Sequence, residues 1–223
     1  MIVTIDGPAG SGKSTVARKI ANKLGFIHLN SGALFRAVAL AADSAGADLG
    51  DDSAVLRVAE RLQFSFFLAA GSKTQLLVNG EDWSERLNSE AAGALASRVA
   101  VLPSVRQLLL EVQRKEGAKH SLVLEGRDAG SIIFPDAEAK FYLDAPLETR
   151  ASRRFAELFP ESTGFNEPSF DLVQQELAKR DLRDSTRDIA PQIVPQGATV
   201  IETGKLGIDE VVQRILDLLR QGK

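Results

Sequence analysis

Apolar residues recur along this chain in two alternating rhythms. Ile2-Val3-Thr4-Ile5 is a short apolar run closed by Asp6-Gly7-Pro8, the pattern of a buried strand ended by turn residues. After it, Val16, Ile20 and Leu24 repeat at helical spacing between Lys13 and Leu24, and Gly25 supplies a C-terminal stop. Residues 26–29 predict a second strand, and Asn30-Ser31-Gly32 opens an Ala/Leu-rich helix running to about Ala42. Strand, helix, strand, helix points to a parallel α/β sheet.

The middle of the chain breaks this rhythm. Residues 62–68 and 74–78 are rich in β-formers, separated by Ala70-Gly71-Ser72-Lys73, and the second run is closed by Asn79-Gly80, which favours a tight turn. These predict a small antiparallel excursion. Helical patterns follow at about residues 89–101 and 105–115, divided by Pro103, which disfavours helical geometry at Leu102. The first rhythm then returns. Residues 121–124 and 139–143 read as strands, 146–158 as a helix, 199–201 as a last strand and 208–219 as an amphipathic closing helix. Residues 159–170, rich in Pro, Gly, Ser and Asn, lie between two Arg-bearing helices and predict a lid.

Composition narrows the function class. The 223 residues are 44% hydrophobic and 26% charged, the ordinary range for a globular chain with one sizeable core. No apolar run reaches the roughly 18–20 residues of a membrane span. The opening segment shows no basic stretch of a signal peptide, so a cytoplasmic location is expected. The absence of cysteine excludes disulfides and Cys-ligated zinc. A net charge of −3 argues against nucleic acid as partner, and phosphate chemistry would need arginines gathered locally.

Gly7-Pro8-Ala9-Gly10-Ser11-Gly12-Lys13-Ser14 matches G-x-x-x-x-G-K-[ST] at every fixed position, after a predicted strand and opening a predicted helix. This pattern binds nucleoside triphosphates. Glycines let backbone N–H groups converge on phosphate oxygens, the helix N-terminus faces the same anion, Lys13 bridges the β- and γ-phosphates, and the Ser14 hydroxyl ligates Mg²⁺. Thr15 completes the set. A guanine-reading N-K-x-D is absent. Three further groups carry the charge that phosphoryl transfer needs: Ser31 to Arg36 at the start of the second helix, Glu125-Gly126-Arg127-Asp128 after a buried strand, and Arg180, Asp184 and Arg187 at i, i+4, i+7, a spacing that predicts one helical face with Arg183 close beside.

The segments GPAGSGKST, SGALFRAVAL, residues 97–106, EGRDAGSIIFPDA and KRDLRDSTRDIAP resemble, in this order and over nearly the whole chain, the bacterial cytidylate kinase family. The antiparallel excursion also sits where that family carries an insert. The resemblance implies a P-loop three-layer α/β fold with a central parallel sheet, a monophosphate-binding excursion containing a small antiparallel sheet, and a short lid. As one nucleoside monophosphate kinase domain, its core would be 1–31, 118–152 and 188–223, its CMP-binding region 32–117, and its lid about 153–187. The implied reaction is phosphoryl transfer from ATP to CMP or dCMP with Mg²⁺. Lys13, Arg127 and Arg187 would be catalytic, and the loop with Arg153 and Arg154 would hold ATP. Ser31, Phe35, Arg36, Ser97, Arg106, Arg127, Asp128, Arg180, Asp184 and Arg187 would hold CMP. Asp128 and Ser97 would accept from the cytosine amino group, and Arg106 would donate to N3 and O2. Arg36, Arg127 and Arg187 would clamp the acceptor phosphate, Arg180 and Asp184 would hold the sugar, and Arg150, Arg153 and Arg154 would lead into the lid.

Two departures from the family pattern stand out. Phe35 occupies a position where the family often has Tyr, and residues 159–170 are atypical of the family's lid. No general base is required, because the attacking phosphate oxygen is already anionic. His28, His120 and Trp83 are therefore read as structural, while Asp6 and Glu125 are open between ordering Mg²⁺ waters and capping strand ends. A kinase for UMP or another acceptor, and an ATP-binding regulator, stay as alternatives. A monomer is expected.

Overall fold

A computed structural model of the chain describes residues 1–68, 74–87, 89–159 and 168–221. Five strands form a parallel sheet in the order β2-β6-β1-β7-β8, and three more form an antiparallel sheet in the order β3-β4-β5. Their ranges are β1 Ile2–Asp6, β2 Ile27–Asn30, β3 Phe64–Leu68, β4 Thr74–Val78, β5 Glu81–Asp82, β6 Leu122–Gly126, β7 Ala139–Asp144 and β8 Thr199–Glu202. The fold class expected from the alternating rhythms is the one observed. By its internal contacts the chain divides into a first unit, residues 1–2 and 21–126, and a second, residues 3–20 and 127–223.

In the first unit β2 runs parallel to β6, with Ile27 opposite Leu122 and Asn30 opposite Glu125. Helix α2, Ser31–Ser44, starts directly from β2. Its N-cap is Asn30, whose Oδ1 accepts the Ala33 N–H at 3.0 Å while its Nδ2 donates to Glu125 Oε1 at 2.8 Å. The His28 ring meets the same oxygen at 3.0 Å. Glu125 is thus buried among polar partners that fix where α2 begins, and His28 has a structural role. Helix α2 packs on α5, Glu90–Val99, and α3, Asp52–Ala59, packs on α6, Pro103–Lys119. Leu102 is extended (φ −76°, ψ 119°), as the following proline requires.

The antiparallel sheet belongs to this unit. Phe64 faces Val78 and Leu68 faces Thr74, while residues 69–73, which include the expected Ala70–Lys73 separator, lie outside the described residues. Asn79 and Gly80 take positive φ (52° and 83°), the geometry of a type I′ turn, and pair β4 with β5. Trp83 packs with Val78, Leu87 and Ala37, and the Arg86 guanidinium lies 4.6 Å from its ring centroid. Helix α4, Ser84–Leu87, follows it.

In the second unit β1 pairs with β7 and β7 with β8, all parallel. Helix α1, Lys13–Leu24, begins in this unit, which also holds α7, Leu147–Leu158, α8, Pro168–Thr186, and α9, Ile208–Gln221. Helix α7 packs on α8 around Ala151 and Leu177, with Ala9 in the same cluster. Residues 160–167 of the expected lid lie outside the described residues; the flanking Phe159 and Phe170 both contact Phe155, the first tilted and the second edge-on, at 4.9 and 5.8 Å between centroids. Arg180 and Asp184 lie on α8, but Arg187 does not: the helix ends at Thr186, which corrects the expected three-residue face. The Ser185 and Thr186 hydroxyls both donate to the Leu182 carbonyl, an interaction that competes with helix continuation, and Pro191 lies beyond.

Residues 129–133 form a single π-turn, in which the Asp128 carbonyl accepts from Ile132 and Ile133 and the Ala129 carbonyl from Phe134. The fully buried Asp6, at the end of β1, receives the first two N–H groups of this turn: Ala129 N at 2.7 Å and Gly130 N at 2.8 Å. Burial raises its pKa from 3.8 to about 6, against the opposing effect of these two hydrogen bonds. A carboxylic acid whose folded pKa is raised contributes stability that is complete below the unfolded value and is lost as pH climbs through the folded one. Wild type should therefore lose about 3 kcal/mol relative to Asp6→Asn between pH 3.8 and pH 6. Urea unfolding of both proteins at a series of pH values measures this; parallel pH profiles would contradict it.

Candidate active site

The loop Gly7–Ser14 lies wholly in the second unit, between β1 and α1. Gly7, Gly10 and Gly12 all take positive φ, and at Gly7 a Cβ would run into the Leu143 carbonyl, so no other residue fits there without strain. Three of the loop's carbonyls are bound by side chains within the unit. The Lys13 ammonium donates to Pro8 O at 2.7 Å, Arg150 Nη1 to Ala9 O at 3.1 Å, and Thr203 Oγ1 to Ser11 O at 3.2 Å. A loop that offers N–H groups to an anion needs this arrangement, since its carbonyls would otherwise repel the anion or go unpaired. Lys13 and Ser14 are the first residues of α1, where the helix dipole favours negative charge.

The second unit also gathers the acidic and basic residues expected from the later motifs. Arg127 Nε donates to Asp184 Oδ2 at 2.9 Å, and Arg180 Nε stands 4.0 Å from the same oxygen. The buried Arg187 guanidinium stands 3.7 Å from Asp128 Oδ1, and its Nε donates to Ala190 O at 2.5 Å. Adjacent residues Arg127 and Asp128 therefore each meet a partner from the α8 end of the chain. Among the described residues three guanidinium groups and two carboxylates thus come together, and guanidinium is the donor type that binds phosphate oxygens two at a time.

The first unit holds the other expected acceptor residues. Ser31, Phe35 and Arg36 lie on the first turns of α2, positioned by the Asn30–Glu125 contact. The Arg106 guanidinium lies 5.5 Å from the Phe35 ring centroid and donates to Ala100 O at 2.9 Å. The aromatic face thus supports Arg106 without needing a hydroxyl. Ser97 on α5 bonds the Gly93 carbonyl one turn back, at 3.2 Å.

The three arginines of α7 separate. Arg150 is buried and fixed to Ala145 O, Ala9 O and, at 2.5 Å, Asp181 Oδ2, so it braces the phosphate loop against α8 rather than extending into a lid. Arg153 donates to the Thr203 hydroxyl and carbonyl, and Arg154 pairs with Glu157. The bracing roles of Arg150 and Thr203 were missed in the sequence. Thr203 carries no motif, and its only signal is its place just after a strand paired with β7. Among the described residues no group of three or more His, Cys, Asp or Glu could hold a metal ion. Both oxygens of Asp6 and one of Glu125 are engaged by protein donors, while Ser14 is exposed at the start of α1. That donor set suits a hard cation carried mainly on phosphate oxygens, with a protein hydroxyl in support.

Comparison with known proteins places the chain in a family. Residues 3–221 match the family model described as cytidylate kinase. The chain is 43% identical over 218 residues to the cytidylate kinase of Vibrio cholerae, covering 98% of this chain and 95% of that one. It is 42% identical over 215 residues to that of Citrifermentans bemidjiense, covering 96% and 90%. In fold it is similar to the crystal structure of an uncharacterized protein from Eubacterium ventriosum, with a TM-score of 0.55 at 14% identity, covering 99% of this chain and 98% of that one. A family model spanning residues 3–221 and relatives 42% and 43% identical over nearly the whole chain show that the chain belongs to the cytidylate kinase family.

Proposed function

We propose that the chain transfers the γ-phosphoryl group of ATP to CMP and dCMP, giving ADP and CDP or dCDP. The observation that carries this reading is the Arg127–Asp184 and Arg187–Asp128 cluster in the same unit as the phosphate loop, in a member of the cytidylate kinase family. The loop N–H groups, Lys13, Ser14 and Thr15 hold the ATP phosphates. Ser14, together with the ATP phosphates, would hold Mg²⁺, which would supply charge neutralisation on the transferring group. Arg36, Arg127 and Arg187 clamp the acceptor phosphate, and with Lys13 they offset the charge that builds between two anions brought into line. No side chain need take a proton, because the nucleophile is a phosphate oxygen already ionised at neutral pH.

Asp128 and Ser97 accept from the cytosine N4 amino group, and Arg106, backed by Phe35, donates to N3 and O2. Uracil presents an acceptor where cytosine presents a donor, so Asp128 would face like polarity, and a buried polar mismatch rejects an analogue strongly. Arg180 and Asp184 hold the sugar hydroxyls. Arg153 and Arg154 reach ATP by exchanging their partners Thr203 and Glu157 for phosphate oxygens. The enzyme acts as a monomer in the cytoplasm; no described helix is long and apolar enough to cross a membrane.

A coupled ADP-release assay with CMP, dCMP, UMP and AMP tests the reading. CMP and dCMP should give the highest kcat/KM, and a higher value with UMP or AMP would overturn the base assignment. Asp128→Asn should narrow the CMP:UMP ratio of kcat/KM by about tenfold or more, and an unchanged ratio would remove Asp128 from base recognition. Lys13→Ala should lower kcat by at least roughly a hundredfold in the same assay.

A further inference from the structure

We infer that Asp6 is a positioning residue for the acceptor side of the reaction: from the end of β1 it fixes the turn that carries Arg127 and Asp128. The inference rests on the CMP reading above.

Three observations converge. Asp6 is fully buried, and each of its oxygens takes one N–H from the start of the π-turn, Ala129 N at 2.7 Å and Gly130 N at 2.8 Å. The turn is seated at contact distance on β1: a Cβ at Gly130 would stand 2.6 Å from Thr4 Oγ1 and 3.2 Å from both Asp6 Oδ2 and Pro195 Cγ. Asp128 is the residue before the first bound N–H, and its own carbonyl opens the turn by accepting from Ile132 and Ile133. Any rotation of the turn about β1 therefore rotates Asp128 and, one residue further, Arg127. Sub-ångström placement matters for groups that read a base edge and hold a phosphate in line.

The electrostatics point the same way. Burial does most to raise the Asp6 pKa, the two turn N–H groups lower it, and the smaller effects of the Asp128 and Lys13 charges oppose each other, so the ionised form is held at a cost in stability. An acid kept at such a place needs a use, and the two turn N–H groups are its hydrogen-bonding partners. The same residue immediately precedes Gly7, so one buried side chain ties the first residue of the phosphate loop to the turn that follows Arg127 and Asp128. The competing role is on the donor side, through Lys13 or the metal, and it makes a different kinetic prediction.

The test is steady-state kinetics of Asp6→Asn with CMP, dCMP and UMP at varied ATP. The amide keeps the shape but turns an NH₂ towards one of the turn N–H groups. We expect kcat/KM for CMP to fall about ten- to a hundredfold through a raised KM for CMP, with a narrowed CMP:UMP ratio and a KM for ATP within about twofold of wild type. A CMP KM and CMP:UMP ratio equal to wild type, or a loss confined to ATP KM and kcat, would overturn the proposal. Should Asp6→Asn not fold, Gly130→Ala crowds the same contact from the other side. It should reproduce the acceptor-side loss, and the double variant Thr4→Ala/Gly130→Ala, which removes Thr4 Oγ1, should recover part of it. A Gly130→Ala enzyme with wild-type CMP kinetics would again overturn the proposal. Wild type inactive on CMP would sink the acceptor reading itself, and the proposal with it, before any variant is compared.

Discussion

The loop Gly7–Ser14 is the constraint around which the second unit is arranged, because its Pro8, Ala9 and Ser11 carbonyls must find donors in that unit. Lys13, Arg150 and Thr203 each take one carbonyl of the loop. Thr203 stands just after β8, where its N–H and hydroxyl also reach Asp144 O, so the register of β7 with β8 sets the height of the loop. Arg150 stands on α7 and reaches Asp181 on α8, so the packing of those two helices sets the loop's other flank. Arg150 and Thr203, both distant in sequence, thus join Lys13 in holding eight residues in a conformation that would be poor in isolation, with three glycines at positive φ.

Carboxylates at strand ends do comparable work in each unit. Glu125, at the end of β6, holds the N-cap of α2; Asp6, at the end of β1, holds the π-turn. In both cases a buried acidic group satisfies backbone or amide donors at the start of an element that follows a different strand, where a helix or turn leaves its first N–H groups without internal partners. Burial of these charges is tolerated because both Asp6 oxygens and Glu125 Oε1 have donors.

Most of this fold could be read from periodicity. The strands flanking the phosphate loop and the helices from α5 onward have long apolar repeats or an unambiguous stop such as Pro103 or Asn79-Gly80. What escaped were short elements. Helix α3 is eight residues, capped by Asp51, and β5 is two residues; neither gives a period enough turns to declare itself. The end of α8 was misplaced because Arg180, Asp184 and Arg187 fit a helical face equally well whether or not Ser185 and Thr186 turn their hydroxyls onto the chain. In the candidate site, the loop was legible as a motif and the Arg127–Asp128 and Arg180–Asp184 pairs as unusual charge after turns. Asp6 was ambiguous because an acid at a strand end looks the same whether it faces water, a metal or a buried backbone. Only its partners, more than a hundred residues away, decide that.

Phe155 anchors both ends of the interval 160–167, through Phe159 before it and Phe170 after it. Both contacts converge on a single ring, so Phe155→Ala would remove the shared partner of Phe159 and Phe170 in one change and loosen the α7–α8 packing from which Arg150 reaches Asp181.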